Sequence, residues 1–242
     1  PQVIMKLIYS KSIDPTLNLA IEEILAHDAE EETFMLWRNG PSIIVGRHQN
    51  TAAEIDGEYV TAHNIPVVRR ITGGGAVYHD LGNVNFSCIS LEREWGPNSA
   101  AVFVAPIVSG LKALGIDAQF SGRNDILANG CKVSGCARSV PLQHTLFHGT
   151  LLFDVDLDVL ANALKPDPDK IISKGIKSVR ARVGNLKAML PLALSDMSPE
   201  EFLESMKKSV QEFFCANVFQ PVSESVIEQA MLLADAKYRT WN

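Results

Sequence analysis

PVVRRITGGGAVYHDLGNVNFSCISL, residues 66–91, sets two arginines directly before three consecutive glycines and brackets them with β-type runs. The pattern predicts a strand over Pro66–Arg70, a glycine-rich loop, and another strand over Val84–Leu91, a rigid frame for a binding loop. Glycine lacks a Cβ, so Gly73, Gly74 and Gly75 can take positive φ and let backbone N–H groups close on a phosphate or an acyl chain. Arg69 and Arg70 add permanent charge and a planar fork of donors suited to phosphate or carboxylate oxygens. The same letters fit a plain surface turn, so this stretch alone leaves both readings open.

Working outward, Asp14-Pro15 reads as an N-cap with proline at the first helical position, followed by Leu17, Ala20, Ile21, Ile24 and Leu25 at helical spacing. Phe34–Trp37 and Ser42–Val45 read as strands, and Asn39-Gly40 between them signals a hairpin turn. Residues 99–114 place Val102, Phe103, Ile107, Leu111 and Leu114 on one helical face, with Pro106 as a source of kinking and Gly115 as the stop. Val155–Leu164 is helical in pattern. Ser198-Pro199-Glu200-Glu201 is a capping box opening a helix with Phe202, Met206, Val210 and Phe213 on its face. Strands and helices mix without regular βαβ alternation, which predicts an α+β fold with mixed, largely antiparallel sheets.

Residues 121–137, SGRNDILANGCKVSGCA, form a second polar and glycine-rich cluster. Asn129-Gly130 predicts a two-residue type I′ turn, so Ala128 faces Cys131, Leu127 faces Lys132 and Asp125 faces Ser134. Side chains alternate across a strand, which puts Asp125, Leu127, Lys132 and Ser134 on one face. Lys132 fits either a solvated edge-strand lysine or a donor to developing negative charge, and Gly130 and Gly135 leave room for a ligand. Two weaker polar patches follow, QHTLFHGT at 143–150 and KSVRARVGN at 177–185.

Composition narrows the choices. With 46% apolar and 21% charged residues in 242, the chain can bury a continuous core. A net charge of −6 argues against broad capture of nucleic acid and turns attention to a small anionic ligand in a local basic pocket. The apolar runs are about half of the roughly 20 residues that a membrane span needs, and the beginning lacks a signal-peptide pattern, which together predict a cytoplasmic protein. Cys88, Cys131, Cys136 and Cys215 include no CxxC pair, so reduced thiols are expected.

Taken in order, RRITGGGAVYHDLGN, GRNDILANGCKVSG, HGTLLFDVDLDVLANAL and KGIKSVRARVGNL resemble the lipoate-protein ligase A family, and NLAIEEIL and PSIIVGRHQNT extend the likeness over nearly the whole chain. The resemblance implies the catalytic-domain fold shared with biotin protein ligases. It implies an enzyme that uses ATP and magnesium to turn lipoate into lipoyl-AMP. The lipoyl group then passes to a lysine of an acceptor domain, either an E2 subunit of a 2-oxoacid dehydrogenase complex or the glycine cleavage H protein. By the same resemblance Arg70, Gly75, Ala76, Val77, Tyr78, Asn83, Asp125 and Lys132 bind the nucleotide, and Lys132 is the catalytic residue. Gly73 and Gly74 join Arg70, Gly75, Lys132, His148, Gly149 and Thr150 around the lipoyl chain. Ser178, Arg180 and Arg182 form an adjoining loop, and Asp125 is the candidate magnesium ligand.

Family members commonly carry a small C-terminal domain, whereas this sequence ends at Tyr238-Arg239-Thr240-Trp241-Asn242. The expectation is therefore that residues 1–242 form a single catalytic domain without the accessory domain: either a separate polypeptide takes the accessory role, or the chain is a catalytic-domain fragment, or it only transfers a preformed acyl group. Two other readings share the fold: an octanoyl or lipoyl transferase using a preformed acyl donor without ATP, and a binding module that catalyses nothing. Lys132 in its GxKxSG context favours the ligase, as does the lack of a cysteine ahead of the GRND block, where the transferases' nucleophile is expected.

Overall fold

The computed structural model describes residues 5–91, 99–122, 124–139, 143–165, 183–215 and 218–240. Its centre is an eight-stranded sheet in the order β11 (Gln220–Pro221), β1 (Lys6–Tyr9), β2 (Thr33–Trp37), β6 (Asn83–Ser90), β10 (Thr145–Leu152), β9 (Cys131–Arg138), β8 (Asp125–Ala128), β7 (Ala118–Phe120). β1 runs parallel to β2 and β11, and the other neighbours are antiparallel. A second sheet of three strands sets β3 (Ser42–Val45) between parallel β4 (Val67–Arg69) and antiparallel β5 (Val77–His79). The α+β expectation holds.

The large sheet is covered on both faces, which explains why β2, TFMLW, is apolar without alternation. Phe34 and Leu36 pack with α4 (Ser99–Ala113) and α6 (Pro199–Phe214) through Val104, Ile107, Leu111, Phe202 and Met206. Met35 and Trp37 point the other way, toward α1 (Pro15–Asp28) and α7 (Glu224–Leu233). Each such large side chain contributes roughly 1.5–3 kcal/mol on burial. The small sheet has its own apolar layer, formed with α3 (Gly57–Ala62) and α5 (Leu157–Ala163) through Ile43, Val45, Val60, Tyr78 and Ala163. No helix among the described residues is long and apolar enough to cross a membrane.

Local end signals behave as read. Asp14 accepts the Thr16 amide at 2.8 Å and starts α1. Ser198 and Glu201 form the reciprocal capping box of α6. Gly115 stops α4 at φ +83°.

Three readings need correction. Asn39-Gly40 makes no hairpin, because β2 and β3 lie in different sheets. Asn39 is buried and its amide joins Asn18 to His79, so a tertiary hydrogen bond takes the group that a turn would have used. Val102 is 64% exposed and Phe213 43% exposed. The buried stripe of α4 runs through Val104, and Phe214, not Phe213, packs on the core from the end of α6. Pro106 lies buried inside α4 without shortening it, since the helix spans 15 residues.

Candidate functional site

The glycine loop links β4 to β5, the two neighbours of β3, so both its ends are anchored on one strand. Arg70 turns inward and is buried. Its Nε donates to Thr72 Oγ1 at 2.9 Å, Nη1 to the Ile44 carbonyl at 3.0 Å, and Nη2 to the Gly73 and Gly75 carbonyls at 2.7 and 2.8 Å. The guanidinium thus sets the path of the loop, and burial pulls its pKa down to about 10, with the charge of Glu22 opposing the fall. Gly74 takes φ +96°, and a Cβ on neighbouring Gly46 would lie 2.1 Å from the Gly74 carbonyl oxygen. Two backbones meet there at a distance that glycine alone allows.

The second cluster folds as the expected hairpin, with Asn129 and Gly130 at φ +49° and +75°. Ala128 faces Cys131 and Leu127 faces Lys132, but the register then shifts, so that Ile126 faces Ser134 and Asp125 faces Gly135. Val133 is the extra residue, and its complete burial in the core shows what the shift achieves. Ser134 consequently faces Ile126 and lies buried, with its Oγ 3.7 Å from Cys136 Sγ. Lys132 and Asp125 do come together, at 2.8 Å, each side chain more than a third exposed. The room left by Gly135 is taken by Lys132 itself, whose Nζ lies 3.2 Å from where a Cβ would stand. Val183 bridges to Lys132, and the Gly184 amide donates to the Lys132 carbonyl, which brings the end of the KSVRARVGN segment to this strand.

These two distant segments line one cavity of about 190 Å³. Lys132, Asp125 and Asn124 stand at one part of its wall and Gly74–Val77 at another, while Leu19, Trp37 and Ile44 supply apolar surface. Beneath the wall runs a chain of buried polar groups. Glu22 Oε1 accepts from Ser87 Oγ at 2.6 Å and from His148 Nδ1 at 2.9 Å, and His148 Nε2 meets Thr72 Oγ1 at 2.8 Å. Arg70 Nε donates to Thr72 Oγ1, Thr72 Oγ1 pairs with His148 Nε2, and His148 Nδ1 donates to the Glu22 carboxylate. One buried cation, Arg70, and one buried carboxylate, Glu22, are thereby linked through Thr72 and His148.

His79 also lines the cavity. Its Nδ1 accepts from Asn39, so Nε2 carries the proton, and burial together with the nearby Arg70 and His148 pushes its pKa down to about 3. Cys136 lines the same space, with a thiol pushed up to about 12 by burial. A site with an ammonium, a hydrogen-bonded polar wall, an apolar end and a close-packed backbone loop is suited to an amphiphilic anion.

Comparison with known proteins agrees with this geometry. Residues 14–211 match the Lipoyl protein ligase A/B catalytic domain family. The chain belongs to the lipoate-protein ligase family. Lipoate–protein ligase 1 of Staphylococcus aureus is 46% identical over 98% of this chain and 72% of its own length. Lipoate-protein ligase LplJ of Bacillus subtilis is 44% identical over 81% of this chain and 59% of its own length. Among solved structures, a bipartite lipoate protein ligase of Thermoplasma acidophilum, described with its E2 lipoyl domain, superimposes with a TM-score of 0.82 at 28% identity, covering 99% of this chain and 94% of that one. A T. acidophilum ligase with bound lipoic acid gives 0.78 at 25%, covering 100% and 98%, and a lipoate-protein ligase A bound with ATP gives 0.77 at 26%, covering 99% and 97%.

Of the residues that the ligase resemblance singled out, Arg70, Gly74, Gly75, Ala76 and Val77 line the cavity from the loop side, and Asp125, Lys132, His148, Gly149 and Thr150 from the large sheet. Gly73, Tyr78 and Asn83 do not line it. Tyr78 packs into the layer under α3 and α5, where burial and the nearby Asp80 and Asp156 carboxylates raise its phenol to about 12. Asn83 donates to Asn85 Oδ1 inside β6. Ser178, Arg180 and Arg182 lie outside the described residues. Sequence reasoning missed Glu22, Trp37 and His79. The signal for Glu22 was present: it stands three residues after Leu19 and four before Ala26, an acid on the buried stripe of an amphipathic helix.

Proposed function

We propose that the chain is the catalytic part of an ATP-dependent ligase that converts lipoate to lipoyl-AMP and passes the lipoyl group to a lysine of an acceptor domain, in an E2 subunit or the glycine cleavage H protein. The observation that carries this reading is that Lys132 and the arginine-glycine loop line one cavity. Joining a carboxylate to a triphosphate means bringing two anions together, and Lys132, Arg70 and magnesium supply the opposing charge. The loop backbone orients the phosphate and the acyl chain, Leu19 and Trp37 exclude water from the apolar end, and Lys132 steadies the oxygen that gains charge as the mixed anhydride forms and is broken.

Asp125 is the one carboxylate among the described residues lining the cavity, and it is already paired with Lys132. A magnesium ion held by a single carboxylate plus phosphate oxygens fits that donor set, so the metal would arrive as part of the Mg–ATP substrate. Cys136 weighs against a thioester route, since a buried thiol held near a pKa of 12 offers little thiolate. We read the described residues as the catalytic domain and assign the accessory role to a further domain or polypeptide.

The test is lipoate-dependent pyrophosphate release from ATP, with transfer to an isolated lipoyl domain followed by mass spectrometry. Lys132→Ala should lower turnover by about 10²–10³. Because the side chain is 40% exposed, the thermal midpoint should hardly move. Acceptor modification only from a preformed acyl carrier would instead identify a transferase, and ligand binding without either reaction would identify a binding module.

A further inference from the structure

A larger space lies outside the acyl cavity, a groove of about 1570 Å³ bounded by β4, the 47–52 loop, Lys165 and the C-terminal turn at 237–240. Arg70 lines both spaces, so the groove abuts the wall of the cavity at that residue. Its floor is apolar, with Val45, Val60, Ile65 and Val68. Its rim is cationic, with Arg47, Arg69, Lys165, Lys237 and Arg239, on a chain whose net charge is −6.

The carboxylates do not balance this rim. Among the described residues lining the groove, Glu23 is the only acidic one, and it is occupied by Lys237 at 2.7 Å and by the Tyr238 hydroxyl at 2.6 Å. Arg239 is neutralised by Asp14 and Asp235. Arg69 donates to the carbonyls of Gly46, Arg47 and Gln49 and to the Thr51 hydroxyl, which fixes the side chain, and it makes no ion pair among the described residues. Arg47 and Lys165 are exposed and make no ion pair among the described residues. Three cations therefore face a groove walled by β4, an edge strand that pairs on one side only, with β3. A charge arrangement opposite to that of the whole molecule steers and orients an oppositely charged partner more than it stabilises the fold.

We propose that this groove seats the acceptor domain through an acidic surface segment beside its target lysine, with Arg47, Arg69 and Lys165 as the docking cations. The inference rests on the ligase reading, which names the acceptor. The position of Arg70 explains why the docked protein is the acceptor: whatever fills the groove lies against the wall of the cavity where the acyl group is activated. The apolar floor gives the interface a dry centre inside a charged rim.

The experiment titrates the chain with an isolated apo lipoyl domain of an E2 subunit by calorimetry at low and high salt, using wild type and the double variant Arg47→Glu with Lys165→Glu. Neither residue lines the acyl cavity. The variant should bind the lipoyl domain about tenfold or more weakly, and its binding should depend less on salt than that of the wild type. Lipoate-dependent pyrophosphate release without acceptor should stay unchanged. Equal affinities for wild type and variant, or no binding of the lipoyl domain to either, would overturn the docking site. Loss of pyrophosphate release by the wild type would instead strike the ligase reading, and the binding titration would still decide the surface.

Discussion

Glu22 and Arg70 lie 48 positions apart in the sequence and are joined in the fold through His148 and Thr72, which makes a double-mutant cycle the sharpest test of how the site is held. Glu22 is 1% exposed and accepts two hydrogen bonds on one oxygen, while Arg70 spends three of its five donors on the glycine loop and a fourth on the Ile44 carbonyl of β3. Glu22→Gln keeps the shape and removes the charge, leaving the Arg70 cation without its buried counter-charge. Arg70→Met removes the cation and its loop contacts. Losing one partner of a buried charged pair costs roughly 3–5 kcal/mol, whereas removing both charges spares the penalty of the survivor. The double variant should therefore be at least about 1 kcal/mol less destabilised than the sum of the two singles. Urea unfolding followed by fluorescence reads this directly, and a single loss of about 3 kcal/mol should lower the midpoint by about 1 M or more. If the two effects add to within about 0.5 kcal/mol, the hydrogen-bonded chain is three separate contacts and does not couple helix to loop.

Gly46→Ala would place a Cβ 2.1 Å from the Gly74 oxygen, so the glycine loop must move, and affinity for lipoate measured by calorimetry should fall by about tenfold or more. Gly57→Ala, with nothing within 4 Å of its Cβ, is the matched control and should bind as wild type does. Asp14→Ala removes the cap of α1 and should cost about 1 kcal/mol at pH 7 in thermal or urea unfolding. Burial raises the Asp14 carboxyl, but hydrogen bonds from Thr16 and Arg239 outweigh it and hold the folded value below the ordinary one. The ionisation-linked part of this stabilisation is present above the unfolded value of about 3.9 and is lost as pH falls through the lower, folded value, so the gap between wild type and variant should narrow only below about pH 4.

The parts of this fold that could be read in advance are those whose partners sit within a few residues. Asp14 caps Thr16, Ser198 caps Glu201, and Asn129-Gly130 turns the chain back on itself, each decided by geometry that a short window contains. Asn39-Gly40 carries the same letters as that turn and failed as a signal, because Asn39 found Asn18 and His79, 21 and 40 positions away. The bulge at Val133 was invisible for a related reason: a strand slips when a core vacancy elsewhere accepts its side chain, and the vacancy is made by Val104, Ile107 and the other residues of that core.

The site divides along the same line. Its glycines, lysine and arginines stand out by local density, while the groups that fix their positions are scattered singly. Glu22 meets His148 across 126 positions and Ser87 across 65, and each looks unremarkable where it stands. A chemical group that touches ligand must be exposed to it, and clusters of such groups on glycine-rich segments are conspicuous. The buried acid that holds the cluster needs only one tertiary partner and a place on a helix face, so its one trace is an acidic residue in an apolar stripe. That trace makes Glu22 the residue through which a change in α1, including one at Glu23 where Lys237 and Tyr238 grip the same turn of helix, would reach the glycine loop.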